Sequence, residues 1–356
     1  MSNVLDLARP ELLSLAPYIP GDYEPDCLRL NANESPWRAP GDATQRGLNR
    51  YPPPRPEVIT RHLSAYYGVG ETELLVTRGS SEAIDVLIRG FCAAGRDKVL
   101  ICPPTFDMYR LYAEIQGAGV CRVPLERNAD PERDFALDVG EIRRRIDAGA
   151  KLIFICSPNN PTGGAMASAD IEAICAAADG RSLVVIDEAY QEFSGQPSLQ
   201  DLRAKFAHVV FLRTLSKFVS LAGVRCGAVI AQPAVIDYLT RVLPPYTFPT
   251  PSIELVGQAM EQSSLAVSEQ RVETLRQQRD RMQAALGTQP GVLKVWPSDA
   301  NFVLIQVADA SQFVARVRRA RILVRTFPNA PELSDCVRIT IGRAEDNDRL
   351  LEATGA

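Results

Sequence analysis

The sequence predicts an α/β fold: an open, mostly parallel sheet covered by helices, followed by a smaller α+β unit. Three observations carry this. Between about residues 74 and 231, short apolar runs alternate with longer helical patterns, the rhythm of repeated strand–helix units. Most of those runs are continuous and β-branched rather than alternating, as strands buried on both faces are. After Pro244-Pro245 the pattern changes to long helices rich in Glu, Gln and Arg, then to shorter mixed elements.

In chain order, the predicted strands of the large sheet are Leu74–Thr77, Val99–Cys102, Val120–Pro124, Leu152–Cys156, Leu183–Ile186, Val209–Leu212 and Ala228–Ala231. Helices are predicted between them at 81–91, 107–117, 138–147 and 168–178. The second part predicts one or two helices over 252–286, strands at Val292–Trp296 and Phe302–Val307, and a helix near 311–320. A strand near 322–325, another at Val337–Ile341 and a last helix near 345–353 complete it. The Pro-rich stretch Tyr51–Pro56 is an irregular connection, and no internal repeat is present.

With 356 residues, 46% apolar and 23% charged, the chain has the balance of a globular protein with room for two units. A net charge of −4 and the lack of any basic run speak against nucleic acid as a partner. Asp6, Arg9 and Glu11 interrupt the apolar residues of the first twenty, so no secretory signal is expected there. No stretch is long enough to span a bilayer. The eight cysteines lack any Cys-x-x-Cys spacing and are expected to be reduced, buried small hydrophobes of a cytoplasmic protein. His62 and His208 have no ligand-spaced partners, which argues against a metal site and a Ser-His-Asp triad together.

Ligands of open α/β sheets bind at the carboxyl ends of the strands, and four predicted strands end in suggestive chemistry. Gly79-Ser80-Ser81-Glu82 opens a helix, either as an amide cradle for phosphate or as an ordinary serine N-cap. Ser157-Pro158-Asn159-Asn160-Pro161-Thr162-Gly163 is a turn that allows Asn160 to point its amide into a strand-end site. Asp187 ends an apolar run, as a helix cap or as the partner of a buried cation. Lys217 follows another, in Thr214-Leu215-Ser216-Lys217, and is one of only five lysines among 39 basic residues. It is either solvated surface or an amine able to lose its proton and attack a carbonyl, which arginine is not.

Asn160, then Asp187 with Tyr190, then Lys217, then Arg225 follow in the order that pyridoxal phosphate needs. Lys217 would hold its aldehyde as an imine, and Asp187 would keep the pyridine nitrogen protonated. Asn160 and Tyr190 would bond to the phenolate oxygen. Arg225, Thr214 and Ser216 would bind the phosphate. Tyr109 is either a stacking partner for the ring or a core aromatic.

Eight segments, Leu30–Pro36, Arg50–Pro52, Gly79–Asp85, Pro104–Tyr109, Ser157–Gly163, Asp187–Tyr190, Arg213–Gly227 and Val337–Gly342, run across nearly the whole chain. Together they resemble the fold-type I, class I/II aminotransferases, and within them the histidinol-phosphate branch. The resemblance implies a large cofactor-binding domain over 38–248, with its seven-stranded sheet, and a small domain of 1–37 and 249–356 closing over the active site. It implies Lys217, Asp187 and Tyr190 as catalytic residues. The implied cofactor contacts are Ser80, Ser81, Tyr109, Asn160, Asp187, Tyr190, Thr214, Ser216, Lys217 and Arg225. Tyr51 would reach the neighbouring subunit's phosphate, which implies a homodimer. Arg338 would take the substrate carboxylate, Arg325 the phosphate of histidinol phosphate, Asn33 would bind substrate and Tyr18 would close over it. The sequence departs from the family at Ser81, where an acidic or amide residue is usual, and at Ala32 and Ser35.

The implied reaction is ping-pong transamination between histidinol phosphate and 2-oxoglutarate, a step of histidine biosynthesis, with Lys217 carrying the proton. Alternatives on the same scaffold are an aromatic or aspartate aminotransferase and a phosphothreonine decarboxylase. From another class comes a non-catalytic module that binds the cofactor; the match beginning by Tyr18 is expected to leave no room for the helix-turn-helix such regulators carry.

Overall fold

The computed structural model describes residues 3–19, 21, 24 and 27–355. All seven predicted runs of the first part form strands: β1 (Leu74–Thr77), β2 (Lys98–Ile101), β3 (Gly119–Arg122), β4 (Ala150–Cys156), β5 (Leu183–Asp187), β6 (Val209–Thr214) and β7 (Gly227–Ile230). They make one sheet in the order β1-β7-β6-β5-β4-β2-β3. The pairs from β3 to β6 are parallel, and β7 runs antiparallel to both its neighbours. This is the predicted α/β class.

Twelve α-helices accompany the sheets among the described residues: α1 (Pro10–Leu13), α2 (Glu57–Tyr67), α3 (Ser80–Phe91), α4 (Met108–Gln116), α5 (Val139–Asp147), α6 (Ser168–Ala178), α7 (Leu202–Lys205), α8 (Pro233–Val242), α9 (Thr250–Ala259), α10 (Gln262–Leu286), α11 (Ala310–Arg319) and α12 (Ala344–Gly355). Apart from its edge strand β3, the large sheet is buried on both faces, which explains the continuous apolar runs. Leu152 and Phe154 of β4 join the core under α3, α4 and α8, while Ile153 and Ile155 join the core under α2, α5 and α6. In α2, Ile59, Leu63 and Tyr67 recur every four residues on the buried face, and Gly68 ends the helix in the left-handed conformation. α8 starts on Pro233, whose fixed φ suits a first helical position.

The second sheet is antiparallel, in the order β10 (Arg325–Thr326), β11 (Cys336–Thr340), β9 (Phe302–Val307), β8 (Val292–Val295). Residues of α10, α11 and α12 complete its core. The strand expected near 322–325 is corrected to two residues, Arg325 and Thr326. Ile322 and Val324 pack on this core without ladder pairing, and Leu323 between them faces solvent.

The start of the chain corrects the division drawn from the sequence. Val4, Leu7 and Ala8 pack with α3 and α8 on the large sheet, and the backbone N–H of Arg9 donates to Gly90 O at 3.2 Å. These residues lie with the large unit rather than in a small domain of 1–37; residues 1, 2, 20, 22, 23, 25 and 26 of that range lie outside those described. All eight cysteines are free, but Cys27 is exposed and Cys121 only half-buried, against the expectation that all are core. His208 is buried with its Nε2 2.9 Å from Cys175 O. Among the described residues no cluster of metal-binding side chains occurs, and no helix is long and apolar enough to cross a membrane.

Candidate active site

Strand register builds the site. Asp187, the last residue of β5, lies opposite Cys156 of β4 and Leu212 of β6, so the turns leaving all three strands open on one rim. Asp187 is 2% exposed. Its Oδ2 accepts the Tyr109 hydroxyl at 2.7 Å and its Oδ1 accepts the Ala189 N–H at 3.1 Å. Both donors are neutral, and Asp187 makes no ion pair among the described residues. Burial therefore pushes its carboxyl up to about 6, partly offset by the Tyr109 bond. A buried carboxylate without a counter-cation is costly, and the position suits a cationic partner.

Tyr109 is corrected. Its ring is fully buried, stacked on Phe154 at 4.6 Å, and its hydroxyl is engaged by Asp187. It stands behind the carboxylate as a core aromatic and has no free face to stack on a ligand. Phe106, which sequence reasoning passed over, is half-buried in the turn before α4, edge-on to Tyr109 at 5.6 Å. Its neighbour Thr105 donates to Asn159 Oδ1 at 2.9 Å, which ties this turn to the one after β4. Its position past the end of β2 was the available signal.

In the turn after β4, Asn159 donates to Pro104 O and to Thr162 Oγ1, holding the loop shape. Asn160 is thereby free to face inward. Its Nδ2 donates to the Tyr190 hydroxyl at 3.3 Å, and its Oδ1 accepts from Arg338 Nη1. Lys217 is half-buried, with Nζ 5.6 Å from the centre of the Tyr190 ring. Burial first, then Arg338 and Arg225, hold its ammonium below the usual lysine range, against a smaller opposing pull from Asp187. The solvated-surface alternative for Lys217 does not describe this environment.

The loop between β6 and β7 meets the start of α3. Gly79 has a φ of 77°, and a Cβ there would stand 2.6 Å from the Arg225 guanidinium, so only glycine allows this approach. Neither Ser80 nor Ser81 is an N-cap: both lie inside the helix, Gly79 precedes it, and no side chain caps the first turn. The first-turn amides thus lack a side-chain acceptor and have a guanidinium beside them, the chemistry of an anion cradle. Arg225 Nη1 donates to Ala222 O at 3.1 Å and Ser216 Oγ at 3.4 Å, and Thr214 donates to Ser216 Oγ at 3.0 Å. The residues present fit a phosphate-bearing group with a cationic ring nitrogen.

Arg338 pairs in register with Arg325 across β10 and β11. Its guanidinium lies 5.1 Å from the Phe302 ring and 5.9 Å from that of Phe327. Burial, with Arg325 close by, lowers its pKa from the arginine value. Arg325 itself is exposed. Tyr18, Asn33 and Tyr51 are exposed on the segment before α2 and make no hydrogen bond or ring contact with the cluster around Lys217. Tyr51 packs instead on Tyr246, with ring centres 4.8 Å apart.

Comparison with known proteins bears on this geometry. The family described as aminotransferase class I and II matches residues 20–353. A histidinol-phosphate aminotransferase of Stenotrophomonas maltophilia is 42% identical, over 100% of this chain and 98% of the relative. Among solved structures, the histidinol-phosphate aminotransferase of Clostridium acetobutylicum matches with a TM-score of 0.78 at 22% identity, over 86% of this chain and 90% of that one. The L-threonine-O-3-phosphate decarboxylase of Porphyromonas gingivalis matches with a TM-score of 0.71 at 19% identity, over 86% and 90%. At these identities the two structures share the fold alone. The family match and the full-length relative decide the assignment: the chain belongs to the class I and II aminotransferases.

Proposed function

We propose that this chain is a pyridoxal-phosphate-dependent aminotransferase that moves the amino group of histidinol phosphate to 2-oxoglutarate, a step of histidine biosynthesis. The observation that carries the reading is the pairing of Asp187, a buried carboxylate with only neutral partners, with Lys217, a half-buried amine held toward its neutral form. The full-length relative supports the choice of substrate.

Pyridoxal phosphate, when bound, supplies an aldehyde and an electron-accepting ring. Asp187 would keep the ring nitrogen protonated. Asn160 and Tyr190 would bond its phenolic oxygen, and Phe106 would cover its face in the role first considered for Tyr109. Ser80, Ser81, Thr214, Ser216 and Arg225 would hold the phosphate. Lys217 Nζ would be the amine that holds the aldehyde and, when free, the group that moves the proton at the substrate Cα, as base and acid in turn. Arg338, aimed by Phe302 and Asn160, would fork onto a carboxylate. Arg325, with Tyr18 and Asn33, would serve the phosphate end of the amino donor.

A homodimer belongs to this reading. Ile19, Leu28, Leu30 and Trp37 are 79–84% exposed in one chain, more apolar surface on one segment than a monomer ordinarily shows. Tyr51, on the same segment, would reach the partner's phosphate. Sedimentation at micromolar concentration is expected to show a dimer; a monomer active at that concentration would end this part of the reading. Eight free cysteines suit a reducing compartment, and we place the enzyme in the cytoplasm.

The substrate reading is tested by absorption. Histidinol phosphate alone is expected to bleach the visible band of the loaded protein, and 2-oxoglutarate to restore it. Release of carbon dioxide from added O-phosphothreonine would make the chain a decarboxylase, and a band that none of these compounds alters would make it a binding module.

A further inference from the structure

The long helix α10 turns a regular stripe inward: Ser268, Val272, Leu275, Arg279, Met282 and Leu286, spaced four and three apart. Five of these are small or apolar. Arg279 is a guanidinium at a core position, 8% exposed. A buried charge persists only where hydrogen bonds replace its hydration. Its Nη1 donates to Phe193 O at 3.0 Å and to Ala300 O at 3.2 Å, and its Nε reaches Asp280 Oδ1 at 3.3 Å. Three residues earlier, Arg276 Nε donates to Phe193 O at 3.2 Å, and its Nη2 donates to Glu192 O at 2.9 Å and to Ser194 O.

Glu192, Phe193 and Ser194 close the single 3-10 turn Gln191–Phe193, which begins immediately after Tyr190. The last carbonyls of such a turn find no partner within it, and the two arginines supply one for each. Ala300 precedes Phe302 by two residues, and the Phe302 ring packs edge-on against Tyr190 at 5.2 Å. Arg279 therefore joins the backbone that follows Tyr190 to the segment whose ring abuts it. A leucine or methionine would fill the stripe equally well but would leave Ala300 O bare and Phe193 O held by Arg276 alone, cutting the tie between the turn and that segment.

We propose that Arg279, assisted by Arg276, is a positioning residue that sets the reach of the Tyr190 hydroxyl into the active site without touching substrate or cofactor. This rests on the reading of the site as one for pyridoxal phosphate. It is tested by following the visible band of the loaded enzyme against pH in the wild type, Tyr190→Phe, Arg279→Met, Arg276→Gln and the double variant Arg279→Met/Tyr190→Phe. Loss of the Tyr190 bond to a phenolate is expected to raise the midpoint by roughly one pH unit, the size of one charge-assisted hydrogen bond. Arg279→Met is expected to shift it in the same direction, and the double variant no further than Tyr190→Phe alone, because both act through one hydroxyl. An unshifted midpoint in Arg279→Met, or shifts that add in the double variant, overturns the proposal. Should Arg279→Met not fold, Arg276→Gln replaces it: that side chain is 34% exposed, and a smaller upward shift supports the proposal while none overturns it. A wild type with no visible band at any pH would overturn the cofactor reading itself, and this proposal with it.

Discussion

Lys217→Ala is expected to lower turnover by about 10⁴-fold or more while the protein still folds and retains cofactor at its phosphate. Each proton transfer by a positioned side chain is worth about 10²–10⁴-fold, and Lys217 is read as performing two in every half-reaction. Lys217→Arg is expected to be nearly as inactive, since arginine keeps the charge but does not give up its proton at neutral pH. The pair separates chemistry from charge. Borohydride reduction followed by peptide mass analysis is expected to fix the cofactor on the peptide carrying Lys217 in the wild type and nowhere in either variant. A Lys217→Ala protein that turns over at wild-type rate would sink the mechanism.

Asp187→Asn is expected to cost about 10³-fold in kcat, on the scale of removing one preorganised electrostatic contact from a buried site. The amide keeps the shape of the side chain and loses the charge that would hold a proton on the ring nitrogen. The same variant carries a stability signature with a definite sign. In the cofactor-free chain the Asp187 carboxyl has its pKa raised by burial from 3.8 to about 6. Between these values the folded chain keeps a proton that the unfolded chain has lost. The contribution of Asp187 to stability is therefore fully present below about pH 4 and is lost as pH rises through about 6, by roughly 3 kcal/mol in all. Urea unfolding of the cofactor-free wild type and of Asp187→Asn across this window is expected to show the extra fall in the wild type alone. Parallel profiles would mean that Asp187 is not held in this state. Loading the cofactor should remove the fall, because a ring cation then meets the carboxylate.

Much of this was legible in the sequence, for physical reasons that differ by element. β4 and β5 read clearly because a strand with helices on both faces must be apolar at every position, as Leu152–Ile155 and Leu183–Ile186 are. Asn160, Asp187, Tyr190, Lys217 and Arg225 read as a group because a parallel sheet delivers one strand end per βα unit to a common rim. The direction of β7 could not be read, since a buried run has the same composition whichever way it points. Nor could the place of Tyr109: its bond to Asp187 joins residues 78 apart, and local pattern cannot say which side of a carboxylate a helix presents. Arg279 was hidden in α10, whose sequence is so polar that its buried stripe hardly stands out, although the spacing of Val272, Leu275, Met282 and Leu286 marks the position as inward. Residues 4–8 escaped because so short a segment, packed on a distant helix pair, has no periodicity of its own.

The reversed strand β7 also sets the order in which the site can come into being. It lies between β1 and β6 and brings Gly227 so close to Gly79 that a side-chain carbon on Gly227 would stand 2.9 Å from the Gly79 Cα. The amides of Ser80 and Ser81 leave the ribosome early; Arg225 leaves on the order of ten seconds later at ordinary synthesis rates. Until β7, made soon after β6, pairs with the much earlier β1, a slow, non-local step, the early amides have no guanidinium beside them. On the proposed reading, a nascent chain would lack a complete phosphate cradle, and capture of the phosphate would report that the last strand of the sheet has seated.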